Sequence, residues 1–329
     1  MRSVRSDIHD QTKWMSHANE SLLYVRSLDG DTTRQQLARA ARAGDMQRVA
    51  NGVYVPGERW SELDDRERYL ARIRAVADTR YSRPVLSHWS AAAIHGLPSI
   101  PRWPEDVHVT IGRATGGRSH LKVRRHGLPF NDDVVEVDGL LVTSIARTVV
   151  DLSATASFRD AVAVADRALW VDRRGRLPVL ANKEDLLNVY RQRMPFRGNT
   201  RSRAVIEFAT HLADSPFESG SRVSMWTIGC PRPLLQSRFR DYRGVIGDTD
   251  FDWPEFRLVG EADGQQKYRD PIMRAGRSLE RVLLDEKERG DRLQAIGRSV
   301  SRWGWSIGMS PARLRLHLMA AGLPMGQRW

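Results

Sequence analysis

The sequence predicts a multidomain α/β protein of the α+β kind, and three observations carry that prediction. Its 329 residues suffice for two or three domains at about 150 residues each. Two windows, Ile145 to Leu152 and Phe158 to Trp170, repeat apolar residues at helical spacing. Others alternate apolar and polar residues as half-buried strands do. Asn51-Gly52 and Asp138-Gly139 sit between such alternating runs, where these pairs tolerate the positive φ of a tight hairpin turn. With 41% hydrophobic and 28% charged residues, a wholly disordered or fibrous chain is excluded.

Near the start, Thr32 and Thr33 can cap a helix with Gln35 and Gln36 as capping-box partners. Leu37, Ala40 and Ala41 continue it, and Gly44 ends it. The spacing predicts a helix over about 33–43, preceded by a short helix over 21–26. Val49 and Val53 to Val55 then flank Asn51-Gly52, which predicts a β-hairpin. Helix, turn, arginine-bearing helix and hairpin is the order of a winged helix-turn-helix, placed at 1–60, whose second helix enters the major groove while the wing touches the backbone. Arg34, Arg39, Arg42 and Arg48 are then the DNA-binding candidates. A small helical cap with a solvated basic face is the alternative.

Residues 61–172 read as a mixed α/β middle region. Ser87 caps a short helix over 89–95 stopped by Gly96. Strands are expected at His108 to Ile111, Leu121 to Val123, Val134 to Val137 and Leu140 to Val142. Helices capped by Ser144 and Ser157 follow at 145–152 and 158–170. The basic loop Gly112 to Ser119 lacks the Gly-Lys-Ser/Thr ending of a phosphate-binding loop, which argues against nucleotide hydrolysis. His88, His95, His108, His120 and His126 fall in no metal-ligand spacing and read as core or surface residues. Residues 173–213, rich in Arg, Gly and Pro with two short helical pieces, form a connector. The last region is 214–329.

The 52 basic residues outnumber 40 acidic ones, for a net charge of +12, the sign expected of a nucleic-acid partner. The 47 arginines and 5 lysines favour bidentate contacts to phosphate and guanine. Cys230 is the single cysteine, so neither an intrachain disulfide nor a cysteine zinc finger forms. The polar opening Met1 to Trp14, and the absence of any run of about 18 apolar residues, predict a cytoplasmic protein.

The chemistry-bearing pattern lies in the last region. Ser215 and Pro216 predict a helix to about Ile228 with Glu218 in its first turn. A strand with Leu234 and Gln236 follows, then Gly247 to Trp253 and Leu258 to Asp263 as a hairpin through Pro254-Glu255. Strand periodicity places Asp250 with Asp252 on one face, and Glu261 with Asp263 likewise. Four carboxylates beside Phe251, Trp253, Leu258 and Val259 are costly to bury without a compensating cation. A hard divalent ion with oxygen ligands, Mg²⁺ or Mn²⁺, supplies one.

The run from Glu218-Ser219-Gly220 through Gly247-Asp248-Thr249-Asp250-Phe251-Asp252-Trp253, Leu258-Val259-Gly260-Glu261-Ala262-Asp263, Asp285 to Leu293 and Gly297 to Trp305 resembles the PD-(D/E)XK nucleases. Within them it is similar to the very-short-patch-repair endonucleases, over about 214–307. The resemblance implies a mixed sheet flanked by helices, with Asp250 and Glu261 as metal-binding acids and Glu218 as an auxiliary ligand. Where that family carries its catalytic lysine this chain has Asp263. Lys267 could reach in from four residues on. Glu286 to Arg289, on a helix predicted over 273–289, is expected to lend support or backbone contacts. Gly52 to Val55, Ser87 to Pro98 and Thr143 to Leu152 resemble the winged-helix antitoxins of the AbiEi type, over about 28–169. That resemblance implies operator binding, repression and a toxin partner.

Two function classes therefore compete. In the first the protein is a metal-dependent DNA endonuclease, with Asp250, Glu261, Asp263 and Lys267 catalytic and Asp250, Glu261 and Glu218 holding metal. In the second it is a non-catalytic transcriptional regulator or antitoxin. A solvated acidic hairpin without chemistry is the third and plainest reading.

Overall fold

The computed structural model describes residues 22–27, 34–79, 83–100, 102–112, 122–127, 129, 133–173, 175, 177–263, 279–327 and 329. The described residues fall into two compact units, one drawn from Arg5–Thr155 with Lys183–Ser202, the other from Ala156–Asn182 with Arg203–Trp329. Helices and mixed or antiparallel sheets make up both, the α/β class that the sequence predicts. No helix among the described residues is long and apolar enough to cross a membrane.

The first unit opens with β1 (Leu23–Tyr24), α1 (Arg34–Ala43), β2 (Met46–Ala50) and β3 (Val53–Pro56), then α2 (Gly57–Glu62) and α3 (Asp65–Asp78). The strands form an antiparallel sheet in the order β1-β3-β2. Gly52, at φ +73°, makes the expected turn. The helix expected over 21–26 is instead strand β1 followed by a 3₁₀ turn at Val25–Ser27. The residues pair where a partner strand satisfies them: Leu23 lies across from Tyr54, and Val25 N–H donates to the Gly52 carbonyl at 2.9 Å. Leu22, Val49, Val53 and Val55 bury against Ala71 and Ala75 of α3. Asp64 and Glu67 start α3 with a reciprocal capping box.

A five-stranded sheet follows, built from β4 (Val85–Leu86), β5 (Val107–Ile111), β6 (Val123–Gly127), β7 (Val134–Val137) and β8 (Leu140–Thr143) in the order β6-β5-β4-β8-β7. The pairs β5–β6 and β4–β8 are parallel. The β7–β8 hairpin turns at Asp138 and Gly139, both at positive φ, as their sequence predicts. Helix α4 (His88–Ile94) packs on this sheet, and α5 (Ile145–Thr155) follows it. Buried Arg147 of α5 contacts Asp133 at 2.6 Å and Asp151 at 3.1 Å, and Asp151 also pairs with Arg193 of α7 (Lys183–Arg193). This network ties the excursion 183–202 into the unit. Buried charges require such partners.

The second unit contains α6 (Phe158–Leu169), then α8 (Asn199–Phe208), whose first residues belong to the other unit, and α9 (Pro216–Thr227). Helix α6 packs on α9, where Asp166 accepts from Arg222 at 2.9 and 3.0 Å and from Ser219 at 2.7 Å. Next come β9 (Leu234–Asp241), β10 (Gly244–Trp253), β11 (Leu258–Ala262), α10 (Leu279–Ala295), β12 (Ser299–Trp303), α11 (Trp305–Gly308) and α12 (Pro311–Ala320). The sheet order is β12-β11-β10-β9, antiparallel except for the parallel β11–β12 pair. A mixed sheet with helices before, within and after it is the arrangement expected here. The helix predicted over 273–289 begins, among the described residues, at Leu279 and extends past its expected end to Ala295.

One side of this sheet is aromatic. Phe251, Trp253, Leu258, Ala262 and Trp303 pack with Phe217 of α9 and with Leu314 and Leu318 of α12. On the other side Ile246 and Val259 meet Leu293 of α10. Gly260 sits under the tryptophans: a Cβ there would lie 2.6 Å from Trp303 and 3.0 Å from Trp253. Burying one such ring contributes roughly 4 kcal/mol of apolar burial. Overpacking predicts that Gly260→Ala lowers the unfolding free energy of this unit by about 1–3 kcal/mol. Urea denaturation followed by tryptophan fluorescence measures it, and an unchanged midpoint would refute the close packing.

Candidate functional site

The carboxylate site is assembled by α9, β9, β10 and β11. Ser215 caps α9, Pro216 occupies its first turn, and the Ser215 hydroxyl accepts from Glu218 N–H at 3.2 Å. This N-terminus fixes Glu218, which is 8% exposed. Its carboxylate accepts from Asp214 N–H at 2.9 Å, Ser215 Oγ at 2.8 Å and Gln236 Nε2 at 2.9 Å. Gln236 of β9 is oriented in turn by Arg173, which donates to its Oε1 at 2.8 Å and also pairs with Asp214. Burial and then the neighbouring Asp250 carboxylate push the Glu218 carboxyl up to about 8, against the downward pull of its hydrogen bonds.

Asp250 lies one pair beyond the Phe251–Gly260 match of the β10–β11 ladder, which places it across from Glu261. Its Oδ2 accepts from Ala262 N–H at 2.8 Å. Glu261 is differently disposed. Arg302 of β12, its partner in the parallel ladder, donates to Oε2 at 2.9 Å, and Arg289 of α10 lies 2.7 Å from Oε1. The Arg289 contact is an ion pair without hydrogen-bond alignment. Arg289 also donates to the Asp248 carbonyl at 2.6 Å, so the support expected from 286–289 comes through this residue. Asp252 is buried and paired with Arg298 at 3.1 Å, and burial raises its carboxyl above the usual range. Asp263 follows β11 directly, its N–H donating to the Trp303 carbonyl at 2.9 Å. Lys267 lies outside the described residues.

The structure thus brings Glu218 and Asp250 together, and it gives Glu261 and Asp252 to arginines. Among the described residues, the carboxylates do not form a group of three with ligand atoms close enough for one ion; His88, His108 and His126 do. The oxygen donors Glu218 and Asp250 fit a hard cation, since a positive charge beside them would favour the ionised form of Glu218 that burial and Asp250 disfavour. Neither Gln236 nor Arg302 was assigned a role from sequence. The signal for Arg302 was its place in an alternating strand, but its pairing with Glu261 needs the crossover through α10.

The other candidate surface is the N-terminal sheet and helix. Leu37 faces the interior while Gln35, Gln36, Arg39 and Arg42 of α1 are exposed. Arg48 is exposed on the hairpin and donates to Asn51 Oδ1 at 2.9 Å. With Arg72, Lys122 and Glu105 it lines a cavity of about 280 Å³. The side chain of Arg34 and the cap candidates Thr32 and Thr33 lie outside the described residues, as does His120.

No protein-family profile matches the chain. Two uncharacterized proteins of Mycobacterium tuberculosis, MT2308 of strain CDC 1551 and Rv2248 of strain H37Rv, are similar to it. Each is 27% identical over 268 residues, which is 80% of this chain and 88% of the relative.

The Glu218 environment has a stability signature. Its carboxyl titrates near 4.5 in the unfolded chain and near 8 in the folded one. Between those values the folded protein holds a proton that the unfolded chain releases, so this group's contribution falls as pH rises from about 4.5 to about 8. In EDTA, wild type is expected to lose more stability from pH 5 to pH 8 than Glu218→Gln does. Urea titrations at both pH values measure the difference, and identical losses would contradict the placement.

Proposed function

We propose that the protein binds DNA through α1 and the β2–β3 hairpin and that its second unit is a cation-dependent DNA endonuclease site of the PD-(D/E)XK kind. The observation that carries the reading is that Glu218, at the start of α9, and Asp250, on β10, are each held by a backbone N–H and that the Asp250 charge acts on Glu218. A bound Mg²⁺ or Mn²⁺ would supply activation of water and stabilisation of phosphoryl oxygens. Glu218 and Asp250 would hold the ion. Glu261 would act from its arginine contacts, and Asp263 would flank the scissile phosphate.

Arg289 and Arg302 keep positive charge at Glu261, where the resemblance places a lysine nearby and this chain has Asp263. Oriented cationic donors stabilise charge that develops on phosphate. Lys267 is a further candidate for that role. On the N-terminal side, the exposed Arg39, Arg42 and Arg48, with Arg34, supply the sequence-read DNA contacts. The net charge of +12 favours a polyanionic partner.

A second reading has its own support. The commitment of Glu261 to two arginines favours a non-catalytic DNA-binding regulator, an antitoxin with a toxin partner, in which the hairpin is neutralised rather than loaded with metal.

Supercoiled plasmid incubated with Mg²⁺ or Mn²⁺ separates the two. Cation-dependent nicking by wild type is expected, reduced at least about 100-fold in Asp250→Ala while that variant still binds DNA. Arg39→Ala with Arg42→Ala is expected to weaken DNA binding and flatten its salt dependence by about one unit of slope per lost phosphate contact. DNA binding without cutting, in wild type and variant alike, would leave the regulator reading. Absence of DNA binding would overturn both.

A further inference from the structure

We propose that His88, His108 and His126 form a binding site for one borderline transition-metal dication, represented by Zn²⁺, in the first unit. The three residues come from separate elements: the first residue of α4, the interior strand β5 and its parallel neighbour, the edge strand β6. In the β5–β6 register Thr110 lies opposite His126, so strand alternation puts His108 and His126 on one face as diagonal neighbours. His88 stacks on His126 with ring centroids 3.6 Å apart. One ring nitrogen from each residue lies within 4.8 Å of the other two.

These are not ordinary core histidines. His95 shows the ordinary case, with its ring bonded to the Thr143 carbonyl at 2.8 Å. In the cluster the ring contacts are to one another and to a serine: His126 Nε2 to His108 Nδ1 at 3.1 Å, and His88 Nδ1 to Ser87 Oγ at 3.1 Å. His88 and His108 are 2% and 4% exposed. His88 also holds φ +51°, a left-handed conformation that a non-glycine residue keeps when its surroundings require it.

The donor set selects the ion. Neutral imidazole suits Zn²⁺, Ni²⁺ and Co²⁺ and is a poor ligand for Mg²⁺ or Ca²⁺, which take oxygen. Burial keeps the rings in the neutral, ligand-competent form. Tetrahedral zinc places its ligand nitrogens about 3.3 Å apart. The His108–His126 contact already has that scale, and a rotation of the stacked His88 ring completes the triad. Three protein ligands leave a fourth position for water. Nearby cations do not prevent binding: Arg147 and Arg193 are paired with Asp133 and Asp151, and the Arg124 side chain is 58% exposed, hence screened by solvent.

The test uses the full-length, untagged, metal-free protein. Zn²⁺ is titrated by calorimetry, and Co²⁺ by visible absorption. With millimolar Mg²⁺ present to occupy the carboxylate oxygens of the second unit, wild type is expected to take one equivalent of Zn²⁺ and to give, with Co²⁺, the intense visible bands of a four-coordinate ion. His126→Gln and His108→Gln are expected to lose affinity by at least about 100-fold, while His95→Gln keeps it. His126 is the more exposed ligand, so its variant perturbs the core least. A folded wild type that takes no stoichiometric Zn²⁺ would overturn the site. So would binding that survives in both His126→Gln and His108→Gln.

Discussion

The close approach of Trp253 and Trp303 over Gly260 is the constraint on which the second unit depends. Only a residue without a Cβ lets both rings settle against the sheet, and their burial with Phe251 and Phe217 supplies the apolar core of that side. A one-residue slip of β11 would bring a side chain under the rings and turn every neighbour to the other face. The packing therefore selects the β10–β11 register. That register puts Asp250 across from Glu261 and both on the side away from the aromatic core.

Electrostatics then divides the acids. Buried charges elsewhere in the molecule have opposite partners: Asp166 has Arg222, Asp151 has Arg147 and Arg193, Asp252 has Arg298. Glu261 follows the same rule with Arg289 and Arg302. Glu218 departs from it, because its donors are neutral N–H and O–H groups and the charge that acts on it most is another carboxylate, Asp250. Hydrogen bonds orient such a group without cancelling its charge. A proton or a cation would relieve the electrostatic cost that burial and Asp250 place on a charged Glu218, and this is the physical basis of the proposed chemistry.

Local signals in the sequence were strong where one short segment decides its own structure. Asn51-Gly52 and Asp138-Gly139 made their hairpins, Ser157 and Ser215 capped their helices, and Glu218 landed in the first turn of α9. Alternation placed Asp250 and Asp252 on one strand face. Leu23 and Tyr24 were misread because their conformation comes from pairing with β3, thirty residues on, rather than from local periodicity. The arginines at Glu261 and the histidine cluster were illegible for the same reason. Arg302 reaches Glu261 through a parallel pair formed after a crossover, and His88, His108 and His126 meet only once β5, β6 and α4 are assembled. Metal-ligand spacings in sequence detect sites built on one helix or loop, and this cluster is built on neither.

The proposed cation ligands of the second unit are Glu218 and Asp250. Anomalous diffraction from crystals soaked in Mn²⁺ tests this assignment most directly, because Mn²⁺ scatters anomalously and takes the same oxygen ligands as Mg²⁺. A peak in contact with carboxylate oxygens of both residues is expected, lost in Asp250→Ala. A Mn²⁺ peak on other residues of the second unit, or none in that unit at millimolar Mn²⁺ with Glu261 still on Arg289 and Arg302, would contradict it.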